Sequence, residues 1–303
     1  MTSNAEVSPP GSPQGARPRL LAVGDNVVDV YPERGVMYPG GNAVNVAVHA
    51  QRLGAQAAYL GAVGTDRAGE IVLRALRSEA VDTSLTRIVD GPNAAAEIHV
   101  VDGNRVFGQA NAGVSVFELT PDDLAAASTY DVVHTGECSN IEGQLGQLAR
   151  ATSRLSFDFS ERPWEYVQQY APSASVAIWS APSGDLALAK RQIERLRALG
   201  PETAVVTLGA AGAMVLQEDL TYSPAPALEV LDTLGAGDAF IARLLVGLAQ
   251  REDIRMLLSA ATAYGTASCA TFGAFGHPST IDAQFETVPT HLADRIPNET
   301  HDS

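Results

Sequence analysis

The chain has 303 residues, 46% hydrophobic content and a net charge of −15, enough to bury a large core in one α/β domain with a small appendage. That acidity argues against nucleic acid, whose phosphates demand a basic face, and no apolar run approaches the roughly 18 residues that span a bilayer. Two cysteines, Cys138 and Cys269, form no spacing pattern and read as reduced, buried thiols of a cytoplasmic protein.

Residues 1–18 are rich in Ser, Pro and Gly without an apolar core, which reads as a disordered tail. Leu20 to Gly24 then reads as the first strand. Asn42 to Leu53 reads as a helix capped near Asn42 and ended at Gly54. Ala57 to Val63 follows as a strand and Ala68 to Glu79 as a helix. Ala94 to Val101 and Arg105 to Gln109 flank Asp102-Gly103, a hairpin turn signal. Such a hairpin is a lid, a dimer clasp or an ordinary edge hairpin. Helices are expected to begin near Pro121 and Ser183. Buried strands are expected at Val132–His134, Leu155–Phe159, Val176–Trp179 and Ala204–Leu208. This alternation implies βαβ units and a mostly parallel sheet covered on both faces. Ligands of such sheets collect at the carboxyl ends of the strands.

Four glycine-bearing turns carry the chemistry. In Gly24-Asp25-Asn26-Val27-Val28-Asp29, two carboxylates at a strand end suit sugar hydroxyls, although a lone Asp there is often a turn former. Pro39-Gly40-Gly41-Asn42-Ala43-Val44-Asn45 opens a helix. Its Asn42 and Asn45, three residues apart, share a face and offer donors and acceptors to hydroxyls. Thr207-Leu208-Gly209-Ala210-Ala211-Gly212 places glycines after a strand, followed by a hairpin-like excursion (Met214–Leu216, Thr221–Ser223). The most informative is Asp232-Thr233-Leu234-Gly235-Ala236-Gly237-Asp238, leading into the apolar run Ala239–Leu248. A helix N-terminus behind small residues offers bare N–H groups and the positive end of the macrodipole to an anion. Asp238 at that anion site suits proton abstraction from a hydroxyl, although acids in a first helical turn also simply complement the dipole. Lys190 is the sole lysine and follows Ala189, so a G-x-x-x-x-G-K-[ST] phosphate loop is excluded.

In this order the four turns, over about Arg19 to Ile281, resemble the ribokinase-like (PfkB) carbohydrate kinases. The resemblance implies an α/β fold: a central, mostly parallel sheet with helices on both faces and a small β lid, formed by about 30–40 and 93–117. It implies a kinase domain over 19–285 and a C-terminal tail over 286–303. It assigns Asp238 as base and the Gly235, Ala236 and Gly237 amides as anion hole. Asp29, Gly41 and Asn45 would bind the sugar, and Thr207, Gly209, Gly212, Asp232 and Thr233 would lie by the nucleotide. ATP and Mg²⁺ are the implied cofactors, with K⁺ as a further monovalent candidate, and a homodimer through the lid is implied.

Within the family, Asp29-Val30-Tyr31-Pro32, Gly40 to Val48, Arg105-Val106-Phe107-Gly108, Phe157-Asp158-Phe159-Ser160 and Ser180-Ala181-Pro182 are similar to the fructoselysine 6-kinases. That likeness adds Arg105 as a substrate contact and suggests that Asp25 meets the adduct's ammonium, while Glu137 falls where ribokinase-like enzymes can place a sugar-contacting carboxylate. The Asn-x-x-Glu of ribokinase-like magnesium sites is missing: Ser180-Ala181-Pro182-Ser183 stands in its place, with Asp185 the nearest acid. The metal ligands stay unassigned. A kinase of another ketohexose, of ribose or of a nucleoside, and a sensor without turnover, are the competing expectations.

Overall fold

The computed structural model describes residues 16–101, 104–181 and 184–281, without the side chains of residues 100–107. Residues 1–15 of the expected 1–18 tail, the expected tail over 286–303, the Asp102-Gly103 turn and Pro182-Ser183 lie outside the described residues. Arg17 and Pro18 belong to the fold rather than to the tail. The Arg17 guanidinium donates to Gly54 O and Ala55 O, both at 2.8 Å, and Pro18 O accepts from Gln56 N.

The chain begins β1 (Arg19–Val23), β2 (Val27–Tyr31), β3 (Val36–Gly40) and α1 (Asn42–Arg52). β4 (Gln56–Leu60), β5 (Ala62–Gly64), α2 (Arg67–Ser78) and β6 (Arg87–Val89) follow. The strand expected over 57–63 therefore splits in two. At Gly61 a Cβ would stand 2.5 Å from Gly24 O and overlap the Tyr59 ring, so the chain turns where only glycine fits. β5 then leaves the main sheet to pair with β6.

β7 (Ala95–Val101) and β8 (Asn104–Asn111) pair antiparallel, and α3 (Pro121–Ala127) leads to β9 (Val132–Gly136). A capping box between Thr120 and Asp123 starts α3, satisfying two orphan donors at once. Next come α4 (Leu145–Ala151), β10 (Leu155–Asp158), α5 (Trp164–Tyr170) and β11 (Val176–Ser180). α6 (Leu186–Ala198) precedes β12 (Thr203–Thr207), β13 (Ala213–Leu216) and β14 (Leu220–Ser223). α7 (Ala236–Ala249), α8 (Ile254–Ser268) and β15 (Ser279–Thr280) complete the described chain.

The main sheet runs β14-β13-β12-β11-β10-β9-β1-β4. Its pairs are parallel from β4 to β12, and the β13–β14 excursion adds two antiparallel strands at one edge. Side chains alternate across the sheet. Leu20 and Ala22 enter the core beneath α1, α2, α7 and α8, whereas Leu21 and Val23 enter the core beneath α4, α5 and α6. The strand order reverses between β1 and β9, and ligands of open α/β sheets bind outside the carboxyl ends at such a point.

A second sheet of five strands, β15-β3-β2-β7-β8, stands apart from the first. Asp29 lies inside β2, between Tyr38 of β3 and Ala96 of β7, rather than in the loop expected after the first strand. Gly24 to Asn26 is the crossing between sheets, so β1 and β2 are consecutive in sequence yet serve different layers. This sheet is more than a hairpin: β2 and β3 form its centre, and the hairpin β7–β8 is its outer part.

Candidate active site

The carboxyl ends of β1, β9 and β10 meet the N-termini of α1 and α7. At the start of α7, Gly235 caps the helix at φ +72°, the left-handed region. A Cβ there would overlap Ala274 Cβ and stand 2.8 Å from Ala274 Cα, so glycine is needed for both conformation and contact. Around Gly237, by contrast, the space is open and the residue is exposed. The first amides of a helix have no intrahelical partner. Ala236 N is taken by Thr233 O, whereas the space around Gly237 stays open, as an anion hole requires.

Asp238 stands in the same turn and is gripped by α1. Its Oδ1 accepts from Asn42 Nδ2 at 2.8 Å and its Oδ2 from Asn45 Nδ2 at 2.6 Å. Burial pushes its carboxyl up to about 6; the two amides pull it down, and Asp25 adds to the rise. A proton acceptor must be ionised, so activity is retained above that value and lost as pH falls through it. The expected kcat/KM profile has an acidic limb near pH 6, checked with the free enzyme across pH 5–8. A limb near the ordinary aspartate value would contradict the assignment.

Asn42 is the hub of the site. Its main-chain N–H donates to Asp25 Oδ2 at 2.8 Å. Its Nδ2 reaches both Asp238 and Asp158 Oδ2, the latter at 3.0 Å. The ionised Asp238 can only accept, so the amide oxygen faces the other way, 3.0 Å from His134 Nε2. That nitrogen therefore carries the proton, and Nδ1 accepts from Ser156 Oγ at 3.1 Å. Burial holds His134 down at about 3, hence neutral. At Gly136 a Cβ would stand 2.8 Å from Asn42 Oδ1, so the glycine ending β9 admits the amide.

The remaining expected residues fall into three groups. Asp25 does for α1 what Gly41, its N-cap, cannot. Its oxygens accept from the Asn42 and Ala43 amides and from the Ser139 hydroxyl, although burial still raises its carboxyl. Gly41 itself, at φ +105°, lies so close to the Asn26 backbone that a Cβ would be 2.7 Å from its Cα. Asp29 is buried beside Gly40. Glu137 is paired with Arg162 at 2.7 Å and accepts from the Cys138 thiol at 3.2 Å. Cys138 is exposed, not buried as expected, whereas Cys269 is buried.

A second group sits at the ends of β11 and β12. Thr207 Oγ1 meets Ser180 Oγ at 3.0 Å, and Leu208 N donates to Gly212 O, closing a turn that contains Gly209. Asp232 and Thr233 form the third group, ahead of α7. Asp232 is buried; its oxygens take Leu234 N, Tyr31 OH and Gly273 N at 3.0–3.1 Å, tying this turn to the second sheet. Thr233 is exposed, and its carbonyl accepts from Ala236 N. Arg105 lies on β8, its side chain outside the described residues. Asp185 caps α6 through Ala187 N and Leu188 N. Among the described residues no cluster of three His, Cys, Asp or Glu is placed to hold a metal ion.

Sequence reasoning missed Asn42 as the hub, together with His134 and Asp158. Asn42 lay within the recognised Pro39–Asn45 turn, and Asp158 at the end of an expected strand. Nothing local marked either as a partner of Asp238.

Known proteins share this architecture. Residues 19–280 match the model of the pfkB family carbohydrate kinases. The chain is 35% identical over 266 residues to the fructosamine kinase FrlD of Bacillus subtilis, covering 86% of this chain and 93% of that protein. It is 36% identical over 255 residues to the fructoselysine 6-kinase of Escherichia coli, covering 83% and 95%. The structure of aminoimidazole riboside kinase from Salmonella enterica, complexed with aminoimidazole riboside and an ATP analogue, superposes with a TM-score of 0.71. It is 26% identical and covers 85% of this chain and 95% of that one. With a ribokinase-like fold and a family match over nearly all its described residues, the chain belongs to the pfkB family of carbohydrate kinases, phosphotransferases acting on a sugar hydroxyl.

Proposed function

We propose that this kinase transfers the γ-phosphoryl group of ATP to the 6-hydroxyl of a fructosamine, a sugar–amino acid adduct of the fructoselysine type. One observation carries the chemistry: Asp238, clamped by Asn42 and Asn45, shares the first helical turn with Gly237, around which the space is open. The two relatives at 35% and 36% identity, named for fructosamine and fructoselysine, support the substrate.

An alcohol is far less acidic than a carboxylic acid, so Asp238 does not pregenerate an alkoxide. It takes the hydroxyl proton as the new O–P bond forms and the bond to ADP breaks. The Gly235–Gly237 turn supplies N–H groups to the charge on the transferred phosphoryl. Positioning and such preorganised donors provide most of the rate in phosphoryl transfer. Mg²⁺ would arrive on the nucleotide phosphates, and K⁺ is a candidate activator. Thr207, Gly209 and Gly212, one strand end away, are the proposed nucleotide side. Asp29, Gly41 and Asn45 are the proposed sugar side, with Arg105 and Glu137 as outer contacts. The proposal extends to a homodimer clasped through the second sheet, in which β8 is an edge strand. No helix among the described residues is long and apolar enough to cross a membrane.

The test is ADP release with ATP and fructoselysine, fructose, ribose or adenosine. The proposal expects the highest kcat/KM with fructoselysine. Preference for plain fructose or a nucleoside would assign another acceptor, and no ADP release with any of them would support a sensor.

A further inference from the structure

Asp25, Asp158 and Asp238 converge on one asparagine, but only two of the three are compensated by a helix. Asp25 is held by the first amides of α1, and Asp238 stands in the first turn of α7. Asp158, at the end of β10, has one N–H on each oxygen, from Ser160 N at 2.9 Å and from Asn42. The charges that weigh on it, from Asp238, Glu137 and Asp25, are all negative. Arg162 is held by Glu137. Burial and those neighbours push the Asp158 carboxyl up to about 7. Each of its oxygens retains acceptor capacity, and a buried carboxylate without a positive partner is costly.

A second observation points to a ligand at the same spot. Asn45 is only 4% exposed, and its Oδ1 has no hydrogen-bond partner among the described residues. The other atom of that amide, Nδ2, touches Asp238. An unmet acceptor beside the base asks for an N–H or O–H donor that the protein does not supply.

The geometry points to Asp158 as the counter-ion of a positively charged acceptor, making it the residue that selects an amine-bearing sugar over a neutral one. This rests on the fructosamine reading above and deepens it. Asp158 Oδ2 and Asp238 Oδ1 both lie within 3.0 Å of Asn42 Nδ2. Their separation therefore suits one small molecule carrying a hydroxyl and an ammonium a few ångströms apart. A 1-amino-1-deoxyketohexose in its furanose form is such a molecule. Its C1 and C6 hang from the two ring carbons that flank the ring oxygen, so the amine and the 6-hydroxyl can reach neighbouring carboxylates together. Asp25 cannot take this role as readily, because its lone pairs are already shared among two helix amides and Ser139.

The test compares full-length wild-type protein with Asp158→Asn, using ATP and two acceptors of equal size: an N-alkyl fructosamine, cationic at nitrogen, and its neutral 1-O-alkyl ether. The kcat/KM ratio of amine to ether is expected to fall at least roughly ten-fold in the variant, mainly through KM. Asp158→Glu, which keeps the charge, is expected to restore part of the preference. Should Asp158→Asn fold poorly, wild-type protein decides. It is expected to favour the N-ethyl adduct over the weakly basic N-trifluoroethyl adduct by a similar factor, and equal values would overturn the inference. A wild type that favours the amine and a variant that keeps the same ratio would overturn this inference alone. A wild type that favours the ether, or turns over neither, would overturn the fructosamine reading and this inference with it. A variant that loses both acceptors equally while needing more Mg²⁺ would place Asp158 on the phosphate side, against the inference.

Discussion

Asp238→Asn is expected to cut turnover at least roughly 10²-fold, the low end of what a positioned general base supplies. The substitution keeps the size of the side chain and one acceptor oxygen between Asn42 and Asn45. It removes the ability to take a proton at near-neutral pH. KM for the sugar should therefore move little while kcat falls, because the lost interaction develops only in the transition state. The acidic limb near pH 6 should disappear with it. Steady-state ADP release with the best acceptor, measured across pH, checks both. Turnover within a few-fold of wild type would show that the proton leaves by another route.

Gly235→Ala is expected to damage both fold and catalysis. The position is left-handed at φ +72°, which costs a non-glycine residue on the order of 1–2 kcal/mol. The added methyl would also meet Ala274, and overpacking of this kind typically costs about 1–3 kcal/mol more. The 232–235 turn cannot retreat freely, because Asp232 is anchored to Tyr31 and Gly273. The first amides of α7 should therefore shift. Loss of one oxyanion donor elsewhere costs about 10²-fold or more in kcat, and a similar loss is expected here at temperatures where the variant remains folded. Urea unfolding and turnover, measured together, check this. Wild-type stability with wild-type turnover would show that the turn accommodates a side chain.

The two substitutions separate the jobs of one helical turn. In the proposed mechanism Asp238 moves the proton, and Gly235 sets the direction of the amides offered to the phosphoryl group. His134 and Ser156 act one step behind. They orient the Asn42 amide, and that amide presents its two N–H groups to Asp158 and Asp238.

Much of the scaffold could be read from the chain alone. The apolar runs at Leu20, Val132, Leu155, Val176 and Ala204 became neighbouring parallel strands, because a strand buried on both faces must be apolar throughout. The helix behind Gly235 and the one behind Gly41 begin where small residues and apolar periodicity place them. These features are local: each depends on the conformational freedom of a few residues and on a repeat that one segment carries by itself. The second sheet was only partly legible. β2 and β3 are short, and their pairing with β7 and β15 joins segments far apart in sequence.

The composition of the site belonged to the tertiary structure. Asn42 meets Asp158 across 116 residues and Asp238 across 196, and Asn45 meets Asp238 across 193. No local propensity encodes such contacts. They arise when α1 and α7 pack side by side on one face of the sheet and bring their N-termini to the carboxyl ends of β1, β9 and β10. The sequence by itself determined that a carboxylate would stand in the first turn of a helix that opens on small residues. Packing decided which amides hold it, how far burial raises its proton affinity, and that a second aspartate shares its asparagine.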